Sequence, residues 1–234
     1  MNETIYAFDV GSTRVRPGPK GRLRFAWARK RPGEPIEGND SITDLVWELK
    51  GELGRGEKVA LGIESPLFIP IPKSSEHLSK GRRNEGNRSF AAPVGLAVTT
   101  LGLHQLAWIL KEIFETSYAN RLFTDFDKWK SSAGPALLCW EAFVSGDASV
   151  GSHLDDAATA VKGFDDEIWK QSLDSQVCVA PESNGPDCGV LSIAGTAALW
   201  SGWTTDTRIL HSDCIVIKPD ESGRSTARPF IARK

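Results

Sequence analysis

Two rhythms of apolar residues alternate along the chain. Short, nearly unbroken apolar runs occur at 4–10 (TIYAFDV), 58–66 (KVALGIESP) and 135–143 (PALLCWEAF). They read as buried, parallel-type strands, the second ended by its proline. Residues 22–30 (RLRFAWARK) alternate apolar and basic side chains and predict a further strand. The glycine- and proline-bearing GSTRVRPGPKG between this run and the first suits a connection between antiparallel neighbours. The second rhythm is helical. Ile42, Leu45, Val46 and Leu49 predict a helix over 40–53, with Asp40 or Ser41 as N-cap. Leu103, Leu106, Leu110, Ile113 and Phe114 predict another over 98–116, and Leu154, Ala157, Ala158, Val161 and Ile168 a third over 152–170. Residues 73–89 (KSSEHLSKGRRNEGNRS) read as loop.

Beyond residue 172 the pattern loosens. GVLSIAGTAALWSGW suggests a small-residue helix, RILHSDCIVIK a late strand, and ESGRSTARPFIARK a basic, flexible, poorly anchored tail. Strands alternating with helices predict an α/β domain spanning 1–171, with 172–234 as an extension packed on the same domain. At 234 residues the chain is too short for two large lobes. A net charge of −2 excludes bulk attraction to nucleic acid, so any basic surface must be local. Cys139, Cys178, Cys188 and Cys214 form no CxxC pair and have no histidines at zinc spacing, which predicts buried free thiols. No run reaches the about 18 apolar residues of a membrane span. The expectation is a cytoplasmic protein without a membrane partner.

Three of the strands end on or near an acid: Asp9, Glu64 and Glu141. The carboxyl ends of strands are where α/β sheets bind ligands, so the three point to one crevice. By strand alternation Asp9 shares a face with Ile5 and Ala7, and Glu64 with Ala60 and Gly62, which leaves room beside both acids. At about 100° per residue, Asp155 falls on the flank of the 152–170 helix stripe and Asp156 nearly away from it. Asp155 is therefore expected to reach Asp9 and Glu64, and Asp156 to stabilise the first helical turn, with Asp156 the alternative catalytic candidate if the helix phase differs. Clustered carboxylates repel unless a cation holds them, and hard divalent metals do so. Two Mg²⁺ or Mn²⁺ ions on such a cluster hydrolyse phosphodiesters. Acids at strand ends also serve as turn-formers and caps, the ordinary alternative for each one singly.

FDVG, GIESP and LDDAATA, in that order, resemble the RNase H-like superfamily. GIESPL, RSFAAPVG and WEAF look like marks of a domain-of-unknown-function family of predicted RNase H-fold nucleases with a RuvC-like acid arrangement. The resemblance covers roughly residues 4–170. It implies a mixed five-stranded sheet of order 3-2-1-4-5 that starts with three antiparallel strands and has helices on both faces. It also implies Asp9, Glu64 and Asp155 as ligands of two Mg²⁺ or Mn²⁺ ions, with Glu141 as accessory ligand or general base. The helix of such proteins often carries another aspartate a turn further on, where this sequence has Thr159, or Ser152 a turn earlier.

A nucleic acid or nucleotide phosphodiester would then be the substrate, held by Arg14 and Arg16 on the first loop and by Lys80, Arg82, Arg83 and Arg88 on the later one. Solvated loops are the alternative for these basic residues. His153, two residues before Asp155, is a candidate for proton transfer. FDVGST also resembles the phosphate-binding hairpin of the sugar-kinase and actin superfamily, with Gly195 and Thr196 as the only candidate for its second turn. A third possibility is an inert RNase H-like module for assembly. Trp27, Trp108, Trp140 and Trp200 are expected in the core. The sequence leaves the substrate and the oligomeric state open.

Overall fold

The computed structural model describes residues 3–13, 24–86, 89–114, 121–144, 149, 151–170, 172–219 and 224–230. In chain order the elements are β1 (Glu3–Asp9), β2 (Ala26–Lys30), β3 (Glu37–Asn39), α1 (Ile42–Gly54), β4 (Lys58–Glu64), β5 (Phe68–Ile71), α2 (Pro93–Phe114), β6 (Leu122–Phe123) and α3 (Phe126–Ser131). They continue with β7 (Ala136–Ala142), α4 (His153–Glu167), α5 (Pro181–Asn184), β8 (Gly189–Ser192), α6 (Ile193–Trp200), β9 (Val216–Ile217) and β10 (Arg228–Pro229). Local chemistry sets the boundaries. Ser41 caps α1 by accepting from the Asp44 amide, and Gly56 follows the helix at φ +84°, a conformation that favours glycine. Ser152 caps α4 through the amide of Asp155.

The chain is α/β, with a mixed, mostly parallel sheet of order β10-β3-β2-β1-β4-β7-β6. β1, β2 and β3 pair antiparallel, whereas β4, β6, β7 and β9 join through parallel pairings. β6 and β9 lie one after the other along β7, opposite Leu137–Leu138 and Glu141–Ala142. A separate antiparallel pair, β5 with β8, ties the segment after β4 to the C-terminal region. Neither of these strands is visible as a periodic run.

Side-chain alternation divides the core in two. Tyr6, Phe8, Leu61, Ile63, Leu137 and Cys139 pack on the face covered by α1, α2 and α6. Ile5, Ala7, Ala60, Leu138 and Trp140 face α4, whose Ala157, Ala158, Ala160 and Val161 meet them. Small residues on both partners let α4 approach closely. The space beside Gly62 is filled by the Trp140 ring, 2.3 Å from where a Cβ would stand.

The C-terminal region differs from expectation. Part of the tail is anchored: β10 pairs with the edge strand β3, and Phe230 stacks on Trp27 with ring centroids 5.6 Å apart. Trp27 and Trp140 are core residues, but Trp108 and Trp200 are exposed. All four cysteines are free; Cys139 and Cys214 are buried, Cys178 and Cys188 only partly. The 22-residue α2 is, contrary to the reading of its sequence, long and apolar enough to cross a membrane by length and composition. In this fold Leu106, Ile109, Leu110 and Ile113 of α2 pack into the core beside α6 and α1.

Candidate metal centre

β1 and β4 are parallel neighbours in a register that sets Asp9 opposite Glu64, both on the α4 face. α4 crosses the end of that face and adds Asp156. Carboxylate oxygens of Asp9, Glu64 and Asp156 all lie within 4.8 Å of one another. Asp9 and Asp156 are each only 8% exposed. Ser149 Oγ donates to Asp156 Oδ2 at 3.1 Å.

Asp156 stands where the helix-phase argument expected Asp155. A single stripe facing the sheet would bring Asp155 to it, but α4 is buried over a wider arc. Thr159 Oγ1 bonds to the backbone of Ser225, and Pro219 lies over Gly163, so the C-terminal region covers a second flank. Asp156, Thr159 and Gly163 share that flank at helical spacing. Asp155 instead accepts from Ser152 Oγ at 2.8 Å, within the N-terminal cap. Thr159, at the position of a further helix acid, is fully buried and engaged by the tail.

Glu141 is a second correction. It pairs in register with Ile63, so its side chain lies on the α2 face of the sheet, opposite to Glu64. There it is 1% exposed and held by Arg82, whose Nη1 and Nη2 donate to its two oxygens at 2.8 and 2.7 Å. The Leu67 amide donates to the same carboxylate at 2.9 Å. Arg82 also pairs with Glu85, and Glu85 in turn accepts from the amides of Arg82 and Phe90. This buried network is structural, so neither Glu141 as metal ligand nor Arg82 as phosphate contact is retained. Beside two carboxylates the Arg82 guanidinium is driven further up despite its burial.

Of the other predicted phosphate contacts, Arg83 pairs on the surface with Glu182 at 3.0 Å and Lys80 is exposed. Arg14, Arg16 and Arg88 lie outside the described residues. Arg24 was not singled out from the sequence. Its charge acts on His153, and the signal available was its place at the start of the apolar–basic run.

His153 Nδ1 shares a hydrogen bond with Asp9 Oδ2. That bond raises the histidine pKa above 6.5, against the opposing effects of burial and Arg24. The Asp9 carboxyl is also pushed up, first by burial and further by Asp156, while His153 pulls it down. Burial and the neighbouring Asp156 carboxylate both disfavour the charged form of Asp9, and His153 offsets them in part. The donor set, three carboxylates from three separate elements, suits Mg²⁺ or Mn²⁺.

The two turns considered for phosphate are engaged otherwise. A Cβ on Gly11 would stand 1.9 Å from Arg24 O, and its carbonyl accepts from Gln105 Nε2 at 2.5 Å. Gly11 thus allows the backbone before β2 to come close. Gly195 is buried within α6 near the Ile209 carbonyl, and its amide donates to Ser192 Oγ at 3.0 Å.

No family model, curated protein or solved structure matches this chain.

Proposed function

We propose that this protein is a divalent-metal-dependent phosphodiester hydrolase with an RNase H-like core, acting on nucleic acid or a nucleotide phosphodiester. One observation carries the reading: Asp9, Glu64 and Asp156, far apart in sequence, converge within 4.8 Å at the carboxyl ends of β1 and β4. The order β3-β2-β1-β4-β7 within the sheet supports the fold, with its antiparallel start and parallel continuation. Bound by these acids, Mg²⁺ or Mn²⁺ would supply Lewis-acid polarisation of a phosphoryl oxygen and a water acidified towards neutral pH. Asp9, Glu64 and Asp156 supply the oxygen ligands. His153 orients Asp9 through their hydrogen bond and balances part of the charge.

The test is cleavage of labelled single-stranded, duplex, hybrid and branched nucleic acids in Mn²⁺ by the parent protein and by Asp9→Asn, Glu64→Gln and Asp156→Asn. The reading predicts a loss of roughly a hundredfold or more in each variant. Equal cleavage by parent and variants, or a parent that neither cleaves nor binds Mn²⁺, would overturn it.

A further inference from the structure

A pocket of about 360 Å³ opens beside the acids at the carboxyl ends of β4 and β7. Glu64, one of the three clustered carboxylates, forms part of its wall. The rest is mainly apolar: Pro66, Ala92, Val94, Val98, Phe143 and Val144. Its volume sits at the low end of the about 300–1,000 Å³ that ligand pockets span.

The pocket is preformed. The N-terminal half of α2 makes one wall and packs too closely on the chain beneath it to move further inwards. A Cβ on Gly95 would meet the Ser89 carbonyl at 2.3 Å, and one on Gly102 would meet Ser65 Oγ at 2.2 Å. The Arg82–Glu141 network fixes the opposite wall.

Most polar groups in the lining are committed to the protein. Ser65 Oγ donates to Val98 O at 3.2 Å, Ser89 Oγ accepts from the Ala91 amide at 3.2 Å, and Glu141 is held by Arg82 and Leu67. An occupant is therefore gripped by van der Waals contact rather than read by hydrogen bonds. Of the three parts of a nucleotide, phosphate and sugar are polar and only the base presents an apolar face. A base within a duplex is stacked and paired, and cannot enter without leaving the helix.

Resting on the metal-hydrolase reading, we infer that this pocket takes one unpaired nucleobase next to the scissile phosphate, which makes single-stranded or unpaired nucleic acid the substrate class. Because the lining is apolar, the pocket accepts different bases, as stacking platforms do.

The experiment compares Mn²⁺-dependent cleavage of a labelled single strand, its duplex, and single strands carrying one tetrahydrofuran abasic residue at each position in turn. Alongside, Ala92→Trp fills the pocket, and its fold is checked by melting with and without Mn²⁺. The inference predicts single strands cut at least about tenfold faster than duplex. One abasic position, fixed relative to the cut, should slow cleavage about tenfold, the size of one lost base contact. Ala92→Trp should cut intact and abasic strands alike. Equal cleavage of duplex and single strand, or no sensitive position, overturns the base pocket and leaves the metal reading standing. Mn²⁺ stabilisation without cleavage of any strand does the same. Neither cleavage nor Mn²⁺ stabilisation overturns both.

Discussion

Asp9 is caught between two influences: burial and Asp156 favour its neutral form, and the hydrogen bond from His153 favours its charged form. His153 gains from the same bond, so its pKa lies above 6.5 in the folded chain. A group with a raised folded pKa contributes stability that is complete below its unfolded pKa and lost as pH rises through the folded one. Comparing the parent with His153→Asn in EDTA cancels the titrating groups other than His153 and its partner Asp9. The parent's advantage in melting temperature should be largest below about pH 6.5 and shrink as pH climbs past it. A pH-independent difference would mean that His153 stays neutral. Mn²⁺ at Asp9 competes with the proton that holds His153 on that carboxylate, so its stabilising effect should be larger at about pH 8 than at about pH 6. Asp155 and Asp156 offer a sharper contrast. Asp156→Asn should abolish Mn²⁺ binding. Asp155→Asn weakens a cap interaction, costs about 0.5–1 kcal/mol, and should leave the metal site intact in a titration of both variants.

At the scale of elements, the β7 end and the loop after β5 are joined through one guanidinium. Replacing Arg82 by Met leaves Glu85 and Glu141 buried without their cation, at a cost of about 3–5 kcal/mol in urea unfolding. Arg83→Ala, which breaks only the exposed pair with Glu182, should leave the urea midpoint unchanged. The strands and helices of the core were legible because their periodicity is strong, and alternation in β1 and β4 correctly put Asp9 and Glu64 on the small-residue face. The face of Glu141 was not legible. β7 is buried on both sides, so PALLCWEAF has no polar alternation to set its phase, and the register with Ile63 decides it. The phase of α4 failed for a related reason: the cover over Thr159 and Gly163 comes from residues after 215, which no local pattern links to the helix. β5 has no sequence signal of its own, and β8 (GVLS) reads as the start of the small-residue helix that in fact begins at Ile193, because each strand is four residues long and stabilised by a partner more than a hundred residues away.

For the molecule as a whole, the C-terminal region closes the fold rather than trailing from it. β10 covers the backbone edge of β3, Phe230 stacks on Trp27, and the Arg29 guanidinium lies 4.4 Å from the Phe230 ring centroid. Deleting residues 224–234 removes an aromatic and a cation–π contact, together worth about 1–2 kcal/mol, and should lower the melting temperature by roughly 2–8 °C. It also bares an edge strand, so light scattering should detect concentration-dependent association absent from the parent. A truncated chain that melts like the parent and remains monodisperse would contradict this role. A larger depression, of about 760 Å³, lies near the amino ends of β1 and β4, lined by Arg29, Arg31, Glu48 and Glu52. These charges pair with one another and stand at the opposite end of the strands from the acids, so the chemistry is assigned to the carboxyl ends.

The most direct measurement is calorimetric titration of Mn²⁺ into the metal-free protein at neutral pH, with Asp9→Asn as the comparison. The account predicts saturable binding by the parent, accompanied by proton release, and none by the variant. No binding by the parent, or equal binding by both proteins, would contradict a metal centre built on Asp9, Glu64 and Asp156.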